Sequence, residues 1–193
     1  MNEPVACSKA LEEQLWQWLE TVVIGLNLCP FAAGPHRRGL VSLVIADVSD
    51  EAAVLETLVD EIIRLDETAP DKLDTTLIAV PGLWPHFTDF NEFLATVDDC
   101  LRHHDREGVY QVASFHPAYQ FAGTAANAAE NLTNRAPVPI LHLLREDSVS
   151  EAVARYPDTS QIPERNVASM EALSSAEQRR LFPWLFSGNH TGH

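Results

Sequence analysis

Leu11, Leu15, Trp18, Leu19, Val22 and Leu26 recur three and four residues apart, the spacing that lines one face of an α-helix. Ser8 stands ahead of this run, with a hydroxyl suited to accept from the free amides of a first turn. Pro30 disfavours helical backbone in the residue before it, so the expected helix runs from Ser8 to around Asn27. Three β-branched apolar runs follow: Val41 to Val48 (VSLVIADV), Thr75 to Val80 (TTLIAV) and Val109 to Phe115 (VYQVASF). Each is short and bounded by turn residues, as buried strands are. A helix opening at Ser49 or Asp50 separates the first two, with Val54, Leu55, Leu58, Val59, Ile62 and Ile63 inward to Leu65. Another runs to His104 with Phe90, Phe93, Leu94, Val97 and Leu101 inward, and Asp89 and Glu92 have the spacing of a capping box at its start.

Alternation of strand and helix predicts an α/β fold with crossover helices. The expected architecture is a single domain over residues 1–193 with a small, mostly parallel sheet of three or four strands. A ferredoxin-like α+β arrangement with antiparallel neighbours is the alternative. A helical C-terminal layer follows, from Ser148 (capping-box spacing with Glu151), from Ile162 to Leu173 with Pro163 in its first turn, and from Ser174 (with Glu177) to Leu181. Residues 187–193, rich in Gly, His and Asn, read as a fraying tail. The segment PILHLLRE is open: a helix puts His142, Arg145 and Glu146 on one face, whereas a strand puts His142 and Leu144 opposite Arg145.

Charge changes the picture by exclusion. The net charge is −15, against the clustered Lys and Arg that a nucleic acid or an anionic membrane surface requires. Between Asp47 and Asp74 ten Asp and Glu face only Arg64 and Lys72, an acidic helix face that is either solvated or turned toward a basic partner. Cys7, Cys29 and Cys100 are too few and too scattered for a disulfide framework or a CxxC zinc site. The opening residues lack the basic and apolar regions of a secretory signal, and no apolar run approaches the roughly 20 residues that span a bilayer. A cytoplasmic protein is the expectation.

Candidate chemistry gathers after the strands. If the three strands are parallel, their C-terminal ends share the edge where open α/β sheets bind ligands. Trp84 and His86 arrive there after the second strand, and His116 and Tyr119 after the third. His116 is the expected general acid/base, since an imidazole titrates near neutrality; a hydrogen-bonded turn histidine is the competing reading. Asn131, Asn134 and Arg135 suit a polar or anionic ligand, and suit a ligand-free loop equally. His142 and Arg145 are further contacts, with an Arg145 salt bridge as the plain alternative. Cys29 is a reserve nucleophile, set against a buried structural thiol because it follows a helix C-terminus, which raises a thiol pKa. Cys29, His116 and His142 together supply zinc-type ligands at undiagnostic spacing. The Gly34–Gly39 turn, with Arg37 and Arg38, is the one basic cluster and is expected at the opposite edge of the sheet. No GxGxxG, P-loop, GxSxG or HExxH is present, so no cofactor is assigned.

Four pieces carry a resemblance: Trp18 with GLNLCPFA (Gly25 to Ala32), SFHPAYQFAG (Ser114 to Gly123), NLTNRAPVP (Asn131 to Pro139), and HLLRE followed by Ser148. In combination the chain resembles a bacterial family known as domain of unknown function 1415. It departs from that pattern between Gly123 and Asn131, where TAANAAE stands in place of a more acidic, Asp-containing linker. The resemblance implies one domain over nearly the whole chain and no particular reaction.

The residues themselves point to an enzyme for a small polar or anionic metabolite, with His116 as acid/base. The alternatives are a noncatalytic binding or assembly protein, using the acidic second helix or the Phe182–Phe186 aromatics, and a metal protein using His116 and His142. The oligomeric state is open.

Overall fold

The computed structural model describes residues 3–156 and 158–186, with side chains from Ser8 onward, so the fraying tail expected at residues 187–193 lies outside the described residues. Four strands form one sheet: β1 (Val41–Ile45), β2 (Thr75–Ala79), β3 (Tyr110–Phe115) and β4 (Ile140–Arg145), in the order β1-β2-β4-β3. β1 and β2 pair in parallel, while β4 lies antiparallel between β2 and β3. The expectation of a mostly parallel sheet is therefore corrected. β1, β2 and β3 do point the same way, but only one hydrogen-bonded pair is parallel. The cause is the connection from β3 to β4. It stays on the edge where β3 ends, so the chain must re-enter the sheet in the reverse direction, in the strand-wide gap between β2 and β3.

Both faces of the sheet are covered. Helices α3 (Glu51–Glu67) and α4 (Phe87–His103) bury Val54, Leu58, Ile62, Phe90, Phe93 and Val97 against Ile78, Leu141 and Leu143. The opposite face packs Leu77, Ala79 and Ile140 against Leu15 and Trp18 of α1 (Glu3–Trp18), Met170 of α6 (Ile162–Glu171), and Leu181 at the end of α7 (Ser175–Leu181). Two short helices, α2 (Ala33–Arg37) and α5 (Glu146–Ala154), flank this second layer. The PILHLLRE ambiguity resolves as strand, with Leu141 and Leu143 on the α3/α4 face and Ile140 on the other.

Helix starts follow local chemistry where a side chain reaches the orphan amides. Asp50 caps α3 by accepting from the Ala53 amide, and Ser174 and Glu177 form the expected reciprocal capping box. Two other boxes do not form. α4 begins at Phe87, ahead of Asp89, and α5 begins at Glu146, which leaves the Ser148 hydroxyl to donate to Asp74.

The first helix differs most from its apolar spacing. It is α-helical to Trp18 and then π-helical over Leu19–Ile24, where the wider turn brings the Leu28 amide onto the Val23 carbonyl. A Cβ on Gly25 would sit 2.5 Å from the Thr21 carbonyl oxygen, so this turn closes only around a glycine. Asn27 then takes φ +54°, and the chain turns toward Cys29. Gly25→Ala is expected to cost about 1–3 kcal/mol, since the clash lies against backbone that cannot yield. A urea midpoint equal to that of the parent protein would contradict this.

Candidate functional site

At the C-terminal edge of β1–β3, His116 is 1% exposed. Its Nε2 lies 2.9 Å from the Trp84 carbonyl and its Nδ1 accepts from the Ala118 amide at 3.0 Å. A carbonyl can only accept, so the ring carries its proton on Nε2. The ring stacks on Phe90 and lies 5.5 Å from Phe87, which in turn contacts Tyr119. Trp84 sits in the left-handed region (φ +53°) with its indole donating to Glu51 at the start of α3. His116 thus ties the β2–α4 loop to the loop after β3. His86 is exposed at the N-terminal end of α4.

The remaining polar residues of this edge hold the long β3–β4 connection together. Asn131 is fully buried; it accepts from the Phe121 amide and the Thr124 hydroxyl and donates to the Ala125 carbonyl. Asn134 donates to the Ser114 carbonyl. Arg135 donates to the carbonyls of Tyr119 and Ala126, and burial pushes its pKa down from the usual guanidinium range.

His142 and Arg145 lie elsewhere, on opposite faces of β4. Arg145 donates to the carbonyls of Leu65, Thr68 and Leu73, so it closes the C-terminal end of α3, and it also reaches the Tyr110 hydroxyl. His142 faces the α1/α6 side, where its Nε2 is 2.8 Å from the Thr75 hydroxyl. That hydroxyl donates to the Leu143 carbonyl, so it accepts from His142, and Nδ1 is left with its lone pair. Burial lowers the His142 pKa to about 4, and the ring is neutral at pH 7. His116 packs against α4 on the other side of the sheet, so the two histidines do not meet. Among the described residues no group of three or more His, Cys, Asp or Glu is placed to hold a metal ion.

His142 opens instead into a cavity of about 560 Å³ at the other edge of the sheet, where β1 and β2 begin and β4 ends. Cys29 lines the same cavity, together with Thr75, Arg38, Ser148 and the apolar side chains of Leu19 and Phe31. Burial raises the Cys29 thiol pKa, and the amides of Phe31 and Ala32 oppose that rise less strongly. The raised pKa agrees with the sequence expectation, and its cause is the burial of the competing structural-thiol reading, not the helix C-terminus. Arg38 makes no side-chain hydrogen bond or ion pair among the described residues, while Arg155 at the rim is paired with Glu151. Asp71 and Asp147 make the rim mixed in charge.

From the sequence alone, Cys29 and His142 are joined only as zinc-type ligands with His116, and Arg38 and Thr75 are missed beside them. Arg38 belongs to the turn expected at the far edge, and Thr75 is indistinguishable from any β-branched strand residue. The one available signal was the strand reading of PILHLLRE, which sets His142 on the face opposite Arg145.

Fold and cavity define a three-layer α/β protein with a thiol and an imidazole facing one chamber beside its sheet. The chain belongs to the family described as protein of unknown function (DUF1415), whose model matches residues 10–180. No curated protein and no solved structure matches it. Among the described residues no helix is long and apolar enough to cross a membrane.

Proposed function

We propose that the protein is an enzyme for a small polar metabolite bearing an anionic group, bound in the cavity lined by Cys29 and His142. The observation that carries this reading is the shared chamber: a thiol, a neutral imidazole with a spare lone pair, and an unpaired guanidinium line one volume of metabolite size. Arg38 takes the ligand's carboxylate or phosphate, for which a guanidinium fork is suited. Thr75 holds His142 in the tautomer that leaves Nδ1 as acceptor. Cys29 is the nucleophile: its thiol is protonated at rest, and the two nearby amides stabilise the thiolate once a proton leaves. In this reading the acid/base role expected of His116 passes to His142.

A thermal-shift panel of phosphate, carboxylate and phosphorylated metabolites tests it. A bound member is expected to raise the melting temperature by about 2–4 °C, with the rise lost in Arg38→Ala and kept in Arg135→Ala. The same ligand should slow iodoacetamide alkylation of Cys29. Without ligand, that alkylation should climb through a higher pH range than for free cysteine, because the thiol is harder to ionise. Absence of any ligand shift, or a shift that survives Arg38→Ala, would defeat the proposal.

A further inference from the structure

On the far side of the molecule from this cavity, the outward faces of α3 and α4 leave a groove of about 530 Å³. Its apolar floor is Ala52, Leu55, Val59 and Cys100. One helical turn beyond Val59, Ile63 continues the stripe and is 48% exposed, although the apolar pattern of the sequence placed it inward. The groove walls carry Glu56, Asp60 and Asp99, with His103 and His104 at one end and no Lys or Arg. Arg102 pairs with Asp99, but Glu56 and Asp60 have no ion-pair or hydrogen-bond partner among the described residues. These two carboxylates sit four residues apart on one helix, a like-charge arrangement that destabilises a helix unless a cation lies between them. No cation of this chain takes that place among the described residues.

We infer that this groove docks a basic amphipathic helix of a partner protein. Apolar residues of the partner at i, i+4 and i+7 would cover Leu55, Val59 and Ile63, and Lys or Arg on its flank would lie against Glu56 and Asp60. Charge complementarity selects this occupant. An anionic membrane or a nucleic acid would meet only carboxylates along the walls, and an acidic helix would add to the existing repulsion. The inference is independent of the cavity and stands whether or not a metabolite binds there.

The experiment is a fluorescence-anisotropy titration of the full chain with a labelled 18-residue Leu/Lys peptide of that spacing, beside a scrambled peptide of equal composition. The patterned peptide is expected to bind at least ten-fold more tightly than the scrambled one. Glu56→Lys/Asp60→Lys and, separately, Val59→Glu should each weaken it at least ten-fold while the melting temperature stays near that of the parent. Glu164→Lys/Glu171→Lys, an equal charge change on exposed positions of α6, should leave binding unchanged. Equal loss in the α6 variant, or equal binding of the scrambled peptide, would reduce the effect to net charge and overturn the inference. Light scattering that shows the chain dimerising, with the dimer lost in Val59→Glu, would assign the groove to a second copy instead and overturn it too.

Discussion

His116→Ala is expected to lower the unfolding free energy by about 3 kcal/mol, read from urea denaturation. The substitution leaves the Trp84 carbonyl and the Ala118 amide without their ring partner in a site closed to water. An orphaned buried polar group costs about 1–3 kcal/mol, and the void left beside Phe87 and Phe90 adds to it. The effect should spread beyond the site, because the β2–α4 loop would then be held to the β3–β4 connection by fewer contacts. Ligand-dependent stabilisation, measured well below the lowered melting temperature, should persist. A variant of unchanged stability that has lost ligand-dependent chemistry would return the acid/base role to His116.

Acid should destabilise the protein partly through His142, and the sign follows from its burial. The native pKa is lowered to about 4 from an ordinary 6.5, so between these values the unfolded chain holds a proton that the native chain does not. Stability therefore rises with pH across this window. The contribution is complete above about pH 6.5 and is lost as the pH falls to about 4, at about 1.4 kcal/mol per pH unit and about 3 kcal/mol in all. Carboxylates titrate in the same range, so the measurement is a difference. Urea unfolding of the parent and of His142→Leu at pH 4.5 and 7 should show a clearly shallower pH dependence in the variant. Identical slopes would mean that the imidazole is not held neutral by its surroundings.

The two histidines show how far a linear reading reaches. His116 sits where the sequence places it, directly after a strand at the C-terminal edge, although that strand, β3, borders the sheet and only its Tyr110 is buried. What the linear pattern cannot supply is the Trp84 carbonyl, which arrives from 32 residues away and takes up Nε2. Arg135 and Asn131 follow the same course. Amide and guanidinium groups suit a ligand and a long connection equally well, and the partner chosen is set by how residues 116–139 fold back over the edge. Cys29 and His142 behave in the opposite way. Each is a candidate at its own position, but they line one chamber only because the layer of α1 and α2 settles beside the start of β1 and β2.

Much of the chain is decided locally. Apolar spacing, β-branched runs and the cap residues Asp50 and Ser174 determine which segments become helix or strand, because those preferences depend on neighbours within one or two turns. The acidic outer face of α3 is equally a property of the sequence. Strand order is not, since β4 enters between β2 and β3 through contacts between residues such as Leu77 and His142, which lie far apart along the chain. The same long-range pairing brings His142 to the cavity that Cys29 lines, and it lets Arg145, which also borders that cavity, close the end of α3. Residue type and local pattern thus determined the elements and their exposed charge, while the antiparallel insertion of one strand decided which side chains share a cavity.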